Sequence, residues 1–163
     1  LEKAAAERRE RATGAQGFAR ALIQNTLLHF NKRRNQRVAV YYNADSANTQ
    51  NQPHTSGSMT LETETGFSDE GKWEISKVGL EEQFCQTWNK IREGQTYCYS
   101  DIRVDVYGRW TLFHEFLKKN IKIKQGVDII PGLVSYDGRP KTTRAQILTA
   151  PSTNKYEEDD SNR

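Results

Sequence analysis

The chain has 163 residues, of which 35% are hydrophobic and 28% are charged, and its formal net charge is +3. This length fits one ordinary domain with appended segments. A charge this small gives no compositional signal for nucleic acid, because phosphate binding needs a concentrated basic surface. The sequence also lacks the roughly 20-residue apolar run that a membrane-spanning helix needs.

The first segment, residues 1–23, is expected to be a helical tether. Its start, LEKAAAERRERA, is rich in the strong helix formers Ala, Glu and Arg but offers little apolar face. We expect residues 1–12 to form a solvated or partner-held helix and residues 17–24 to form a short amphipathic helix or turn. The charged start lacks the apolar stretch of a signal peptide, and the chain begins with Leu1, so we expect a processed product.

From residue 26 onward the pattern changes to strand alternation. Val38, Val40 and Tyr42 share one face of the segment QRVAVYYN, and similar segments follow after a polar loop, ADSANTQNQPHTSGS. The stretch 110–117 fits a strand or a helix, and its place between two turns favours a strand. Seven or eight short strands with frequent turns predict a mainly β fold, a small antiparallel barrel or sandwich over residues 24–130.

Residues 131–163 are expected to be an extended tail. Apolar residues are sparse after Pro131, and residues 157–160 are all acidic. This composition is typical of a segment that stays disordered unless a partner holds it. The sequence therefore predicts protein partners that contact both flanks, residues 1–23 and 128–163.

The two cysteines, Cys85 and Cys98, lie on the two arms of a predicted hairpin. In an antiparallel pair the residue numbers of opposite positions have a constant sum, and a turn centred on Ile91 and Arg92 places these cysteines opposite each other. Cβ atoms at such a pair are about 4.5–5.5 Å apart, which is close to disulfide geometry. The spacing predicts a structural disulfide, and with it an oxidising compartment.

The sequence carries few signals for a redox, metal-binding or catalytic site. The cysteine spacing is not the C-x-x-C of redox sites, and the three histidines stand alone, whereas a zinc site needs about four ligands. Phosphate-binding and dinucleotide-binding glycine motifs and the nucleophile elbow are missing from the chain. The sequence therefore predicts no catalytic residues, no metal ligands and no cofactor.

One set of short motifs spans the predicted β-domain, in the order Asn25-Thr26-Leu27, Tyr41-Tyr42, Gly71-x-Trp73, Phe84-Cys85-x-x-Trp88, Gly94 and Cys98-Tyr99. This set resembles a family of small exported β-domains of Gram-negative bacteria, most of which have no characterised function. The resemblance covers residues 24–127 and is most specific between Trp73 and Tyr99. It implies a β-rich fold, the disulfide and export to the periplasm or cell envelope, and it implies no chemistry.

Two side-chain groups are candidate binding residues, each with a structural alternative. Five aromatic residues are expected either to line a ligand cavity or to fill the core: Trp73, Trp88, Tyr97, Tyr99 and Trp110. Small barrels usually fill their interiors with side chains, which favours the core. A basic cluster consists of Lys32, Arg33, Arg34 and Arg37. It is expected either to contact an acidic partner or to form a solvated hairpin turn, and we favour the hairpin turn. Lysines 118, 119, 122 and 124 are expected on the wet face of an edge strand.

The sequence as a whole favours a non-enzymatic exported β-domain that is an accessory, structural subunit of a bacterial envelope assembly. One alternative is a periplasmic barrel that binds a small molecule or lipid, which would need a hollow interior. A second alternative is a nucleic-acid-binding or viral β protein with a basic arm at residues 1–37. The near-balanced charges of LEKAAAERRERA argue against nucleic acid as a partner.

Overall fold

The computed structural model describes residues 14–45 and 54–141. Helix α1 spans Ala15–Leu22, and a 3-10 turn spans Ile91–Gly94. The strands, in chain order, are β1 Asn25–Asn31, β2 Gln36–Ala44, β3 Ser56–Thr63, β4 Ser68–Val78, β5 Glu81–Trp88, β6 Tyr97–Val104, β7 Arg109–His114, β8 Lys119–Lys124 and β9 Ile129–Pro131. The expected helix at 1–12 lies outside the described residues, whereas the expected short helix near 17–24 is α1.

The strands form a single antiparallel sheet that curls into a nearly closed barrel, which confirms the predicted fold class. The strand order is β8-β7-β6-β5-β4-β3-β2-β1-β9, so β8 and β9 lie at opposite margins and run in the same direction. Residues 125–128 join them in a tight turn, where the Gly126 N–H donates to the Ile129 carbonyl at 2.9 Å. The two strands therefore act as one bent strand that pairs first with β7 and then with β1.

Alternating side chains divide each strand into a core face and an outer face. In β2, Val38, Val40 and Tyr42 are buried members of the core, as the alternation predicts. The ambiguous stretch 110–117 begins as strand β7, with Trp110, Leu112 and His114 buried, and then turns at residues 115–118. Strand is favoured there because every second residue, rather than one helical face, meets the core.

Helix α1 packs against the interior of the barrel. The Phe18 ring meets the rings of Phe84 and Trp110 edge-on, with centroids 5.3 and 5.4 Å apart. Ala19 and Leu22 are also buried, whereas Arg20 is exposed. We expected residues 1–23 to be a tether, but the apolar face of α1 is part of the barrel's own core. Burial of that face stabilises so short a helix.

The described part of the C-terminal segment, up to Lys141, folds back onto β1. Thr26 is fully buried beneath it, where its hydroxyl donates to the Gly132 carbonyl at 2.7 Å and accepts from the Val134 N–H at 3.1 Å. Val134 is buried as well. We expected the domain to stop at residue 130, and the structure carries its packing about ten residues further because Val134 and the Thr26 hydrogen bonds anchor this turn. Residues 142–163 lie outside the described part.

The alternating strand directions place the connections at two opposite ends of the barrel. The helix end carries α1 and the connections at residues 79–80 and 105–108. The basic end, so named for the cations described below, carries the connections at residues 32–35, 64–67, 89–96 and 115–118.

Candidate functional site

The two cysteines form a disulfide in the barrel wall, as predicted. Cys85 in β5 is paired directly opposite Cys98 in β6, and their Cα atoms are 4.0 Å apart. The flanking residues Phe84 and Gln86 are core-facing, so the disulfide lies on the outer face. The β5–β6 ladder has only three residue pairs, fewer than any other ladder between consecutive strands of the described sheet. The cross-link therefore holds the wall where backbone pairing is shortest.

The five candidate aromatic residues all lie on the core face of the barrel. Trp73 stacks on Phe84 with ring centroids 5.4 Å apart, and its indole N–H donates to the Asn43 carbonyl at 2.8 Å. Trp110 packs against Phe18 of the helix. The remaining three, Trp88, Tyr97 and Tyr99, surround the polar centre described next. All five are in contact with other core side chains.

A chain of hydrogen bonds crosses the interior among these aromatic residues. The Tyr42 hydroxyl donates to the Gln86 side-chain oxygen at 2.6 Å, and the Gln86 amide donates to the Tyr97 hydroxyl at 2.8 Å. The Trp88 indole N–H donates to the same hydroxyl at 2.8 Å. Burial raises the pKa of Tyr42 and of Tyr97, so both stay neutral. A satisfied network of this kind specifies side-chain positions in the core.

His114 is a buried titratable group that the sequence did not single out. Its ring stacks parallel to the Tyr97 ring, with centroids 5.2 Å apart, and meets the Tyr99 ring edge-on at 4.9 Å. Its Nδ1 accepts the Leu117 N–H at 3.1 Å, which places the ring proton of the neutral form on Nε2. Burial lowers the pKa of His114, and the nearby cations Arg92 and Lys119 lower it further.

The basic end combines exposed cations with exposed aromatic side chains. Lys32, Arg33 and Arg34 are exposed in the β1–β2 turn, as the hairpin interpretation predicts. Arg37 differs from them, since its guanidinium lies 3.2 Å from the Glu64 carboxylate and 5.6 Å from the centre of the Tyr136 ring. The candidate acidic-partner cluster is thus three cations that form no ion pair within the described part of the chain and one residue, Arg37, that is engaged within the fold.

The β5–β6 connection at the basic end is held in a strained conformation. Arg92 and Glu93 both have φ of 55°, in the left-handed region that favours glycine. The carboxylate of buried Asp69 holds this connection, because it accepts the N–H groups of Lys90 and Ile91 at 2.9–3.2 Å. Burial alone would raise the pKa of Asp69, but these backbone donors bring it below its usual range.

This connection places the Arg92 guanidinium between two aromatic rings. It lies 4.8 Å from the centre of the Tyr97 ring and 4.5 Å from the centre of the Phe116 ring. Phe116 itself is 60% exposed. The sequence alone gave no reason to join residues 92, 97 and 116, because they come from three different elements.

The helix end carries exposed apolar side chains on two hairpin tips. Leu80 is fully exposed at the tip of the β4–β5 hairpin, and Val106 and Tyr107 are 93% and 79% exposed at the tip of the β6–β7 hairpin. Asp105 fixes the second tip, since its carboxylate accepts the N–H groups of Tyr107 and Arg109, both at 2.9 Å. These residues were missed as candidates, although apolar residues inside the turn sequences VGLEE and DVYGR were a usable signal.

A pocket of ≈ 490 Å³ opens between the two tips. Its walls are the start of β5 and the end of β6, which diverge beyond the pair Phe84–Tyr99, and Gly14 and Ala15 contribute to it from the start of α1. The pocket is acidic on one side because Glu81 and Glu82 line it. It lies beside the start of α1.

Within residues 14–45 and 54–141, no group of three or more His, Cys, Asp or Glu side chains is placed to hold a metal ion. No helix in that part of the chain is long and apolar enough to span a membrane. Comparisons with protein-family models, with curated proteins and with solved structures give no match.

Proposed function

We propose that this chain is a non-enzymatic, exported β-barrel domain that serves as an accessory, structural subunit of a bacterial envelope assembly. The observation that carries the proposal is the pair of apolar hairpin tips at the helix end. Leu80, Val106 and Tyr107 expose large apolar surface to water with no packing role in the barrel. Exposed apolar side chains grouped at one end of a domain are typical of a protein-docking surface.

The β6–β7 tip is also preorganised for binding. The Asp105 hydrogen bonds fix its backbone, and the Arg109 guanidinium lies 5.1 Å from the centre of the Tyr107 ring while forming an ion pair with Asp105 at 2.8 Å. A rigid loop loses little conformational freedom on binding. Tyrosine and arginine are residues in which the binding energy of interfaces concentrates. The tip therefore suits a protein partner.

Export is supported by the disulfide. A structural cross-link in the wall of a small domain persists in oxidising compartments such as the periplasm and is rare in the cytosol. The packed interior favours a structural role over the alternative of a barrel that carries a small molecule or lipid. Trp73, Tyr42, Phe84, Met59 and Leu112 fill the centre and are at most 2% exposed.

The experiment compares the native size of the protein in detergent-solubilised envelope extract with that of the purified chain. We expect the extract to contain it in a larger species. The double variant Leu80→Ser/Tyr107→Ser is expected to weaken that association by roughly 30-fold or more. It should change folding stability by less than about 0.5 kcal/mol, because both side chains are exposed.

The matched control is Phe30→Ser, which removes an exposed aromatic side chain, 51% accessible, near the basic end. It should leave the larger species intact. If the wild-type protein in the extract has the size of the purified chain, the proposal is wrong. If Phe30→Ser and the helix-end variant dissociate the species equally, docking through the helix end is wrong.

A further inference from the structure

We propose that the basic end of the barrel docks on the surface of an anionic lipid bilayer. This inference goes beyond the protein-docking role of the helix end and does not depend on it. It rests on three features of the same end: an excess of unpaired cations, a ring of exposed aromatic and aliphatic side chains, and direct cation–aromatic contacts between them.

The first feature is charge. Among the described residues, six cations of the basic end make no ion pair; they are Lys32, Arg33, Arg34, Lys90, Arg92 and Lys119. Of the acidic residues near these connections, Glu93 is exposed and forms no ion pair with a described residue, whereas three others are engaged within the fold. Glu64 pairs with Arg37, Glu115 lies 3.7 Å from Lys118, and Asp69 is buried against backbone N–H groups. A surface with this excess of positive charge fits an anionic partner.

The second feature is exposed apolar surface at the same end. Phe30 borders the β1–β2 turn, Phe67 ends the β3–β4 connection, and Phe116 and Leu117 form the β7–β8 turn; they are 51%, 41%, 60% and 44% exposed. Two of the four connections of this end thus carry exposed apolar residues, Phe30 lies at the end of β1 beside a third, and the fourth carries Arg92. Because the connections surround one end of the barrel, these side chains can meet a flat surface together.

The third feature is the contact between the two groups. The Lys90 ammonium lies 5.7 Å from the centre of the Phe67 ring, and the Arg92 guanidinium lies 4.5 Å from the centre of the Phe116 ring. Each cation is therefore held beside an exposed ring. Segments that bind the bilayer interface use this combination, in which aromatic and aliphatic side chains enter the headgroup region and cations face lipid phosphates.

The helix end offers the contrast that favours a lipid surface at the basic end specifically. Its apolar tips stand beside Glu81 and Glu82, whose carboxylates form no ion pair within the described residues. These two carboxylates would be repelled by an anionic bilayer. An acidic protein is the competing occupant of the basic end. The exposed rings of Phe30, Phe67 and Phe116 come from one strand end and two turns, and this spread is better matched to a flat interface than to a single acidic segment.

The experiment measures co-sedimentation of the purified full chain with two kinds of vesicle. One contains phosphatidylcholine alone, and the other contains phosphatidylcholine and phosphatidylglycerol. We expect binding to the anionic vesicles, weakened by added salt, and little binding to the neutral ones. The variant Arg33→Gln/Arg34→Gln should lower partitioning by roughly 30-fold, since each cation near an anionic surface contributes about fivefold.

The matched control is Lys72→Gln/Lys77→Gln, which removes the same charge from exposed positions on β4. It should retain most of the binding, because Lys72 faces outward on the barrel wall and Lys77 lies toward the helix end. A second variant, Phe116→Ser/Leu117→Ser, should lose binding at physiological salt while keeping part of it at low salt. Its unfolding transition, measured in parallel, establishes that it is folded.

Three results would overturn the proposal. The first is failure of the wild-type chain to bind anionic vesicles. The second is an equal loss of binding in the β4 control and the Arg33/Arg34 variant, which would mean that only net charge matters. The third is binding to polyaspartate under conditions where anionic vesicles are left unbound, which would assign the basic end to an acidic protein.

Discussion

Removing the disulfide should lower the free energy of unfolding by about 3 kcal/mol. Cys85 and Cys98 are 13 residues apart in sequence, and closing a loop of this length restricts the unfolded chain by about that amount in the chain-entropy model. The test is the variant Cys85→Ala/Cys98→Ala. Alanine is preferable to serine because Cys85 is 2% exposed and a hydroxyl there would be buried.

The assay is urea unfolding followed by tryptophan fluorescence and circular dichroism. The variant should also show a larger dependence of unfolding free energy on urea, because its unfolded chain is less restricted. The matched control is Thr87→Ala/Thr96→Ala, whose hydroxyls meet at 2.6 Å on the same hairpin, and it should cost less than about 1 kcal/mol. A loss below about 1 kcal/mol in the cysteine variant would refute the reasoning, since it would show that the short ladder holds without the cross-link.

Two further predictions concern the core. Gly57→Ala should lower the free energy of unfolding, measured in urea, by about 2–4 kcal/mol. The reason is that a Cβ there would lie 1.9 Å from the Asn43 carbonyl oxygen and 2.4 Å from the Trp73 indole nitrogen. A loss under about 0.5 kcal/mol, which is typical of a surface substitution, would contradict this prediction. His114 has a lowered pKa in the folded state, so stability should fall as pH drops below its unfolded value of about 6.5 and level off below the folded pKa. His114→Gln should show a flatter profile, and the account of His114 is wrong if both proteins lose stability equally between roughly pH 7.5 and pH 5.

The barrel wall could be read from the sequence because its signals are local. Alternation at Val38, Val40 and Tyr42 is set by the two-residue period of a strand. The opposition of Cys85 and Cys98 follows from hairpin counting alone, and the structure confirms it. Both inferences need only neighbouring residues, so no knowledge of the distant chain was required.

Closure of the barrel and the ends of the domain could not be read in this way. The pairing of β9 with β1 joins residues more than a hundred positions apart, and three residues give no period to detect. The burial of Thr26 depends on the returning residues Gly132 and Val134 in the same way. The flanks looked unable to fold because their apolar residues are few, yet within the described residues Phe18, Leu22 and Val134 pack on the barrel itself.

The candidate surfaces also divide into features that the sequence shows locally and features that only the folded structure brings together. The Lys32, Arg33 and Arg34 turn was visible as a charge run, whereas the placement of Arg92 between Tyr97 and Phe116 arises from three separate connections. Sequence patterns predict which residues leave the core, and they do not show which of the exposed residues meet at one end. The functional proposals therefore depend mainly on where the barrel gathers its connections.

The central claim, that the helix end docks on a protein of the envelope, is tested most directly by photo-cross-linking in the cells that produce the chain. A photoreactive phenylalanine derivative is placed at Tyr107, and at Lys72 on the barrel wall as the control position. The account predicts a single major cross-linked protein from position 107 and none from position 72. Equal labelling from both positions, or no product from position 107, would contradict it.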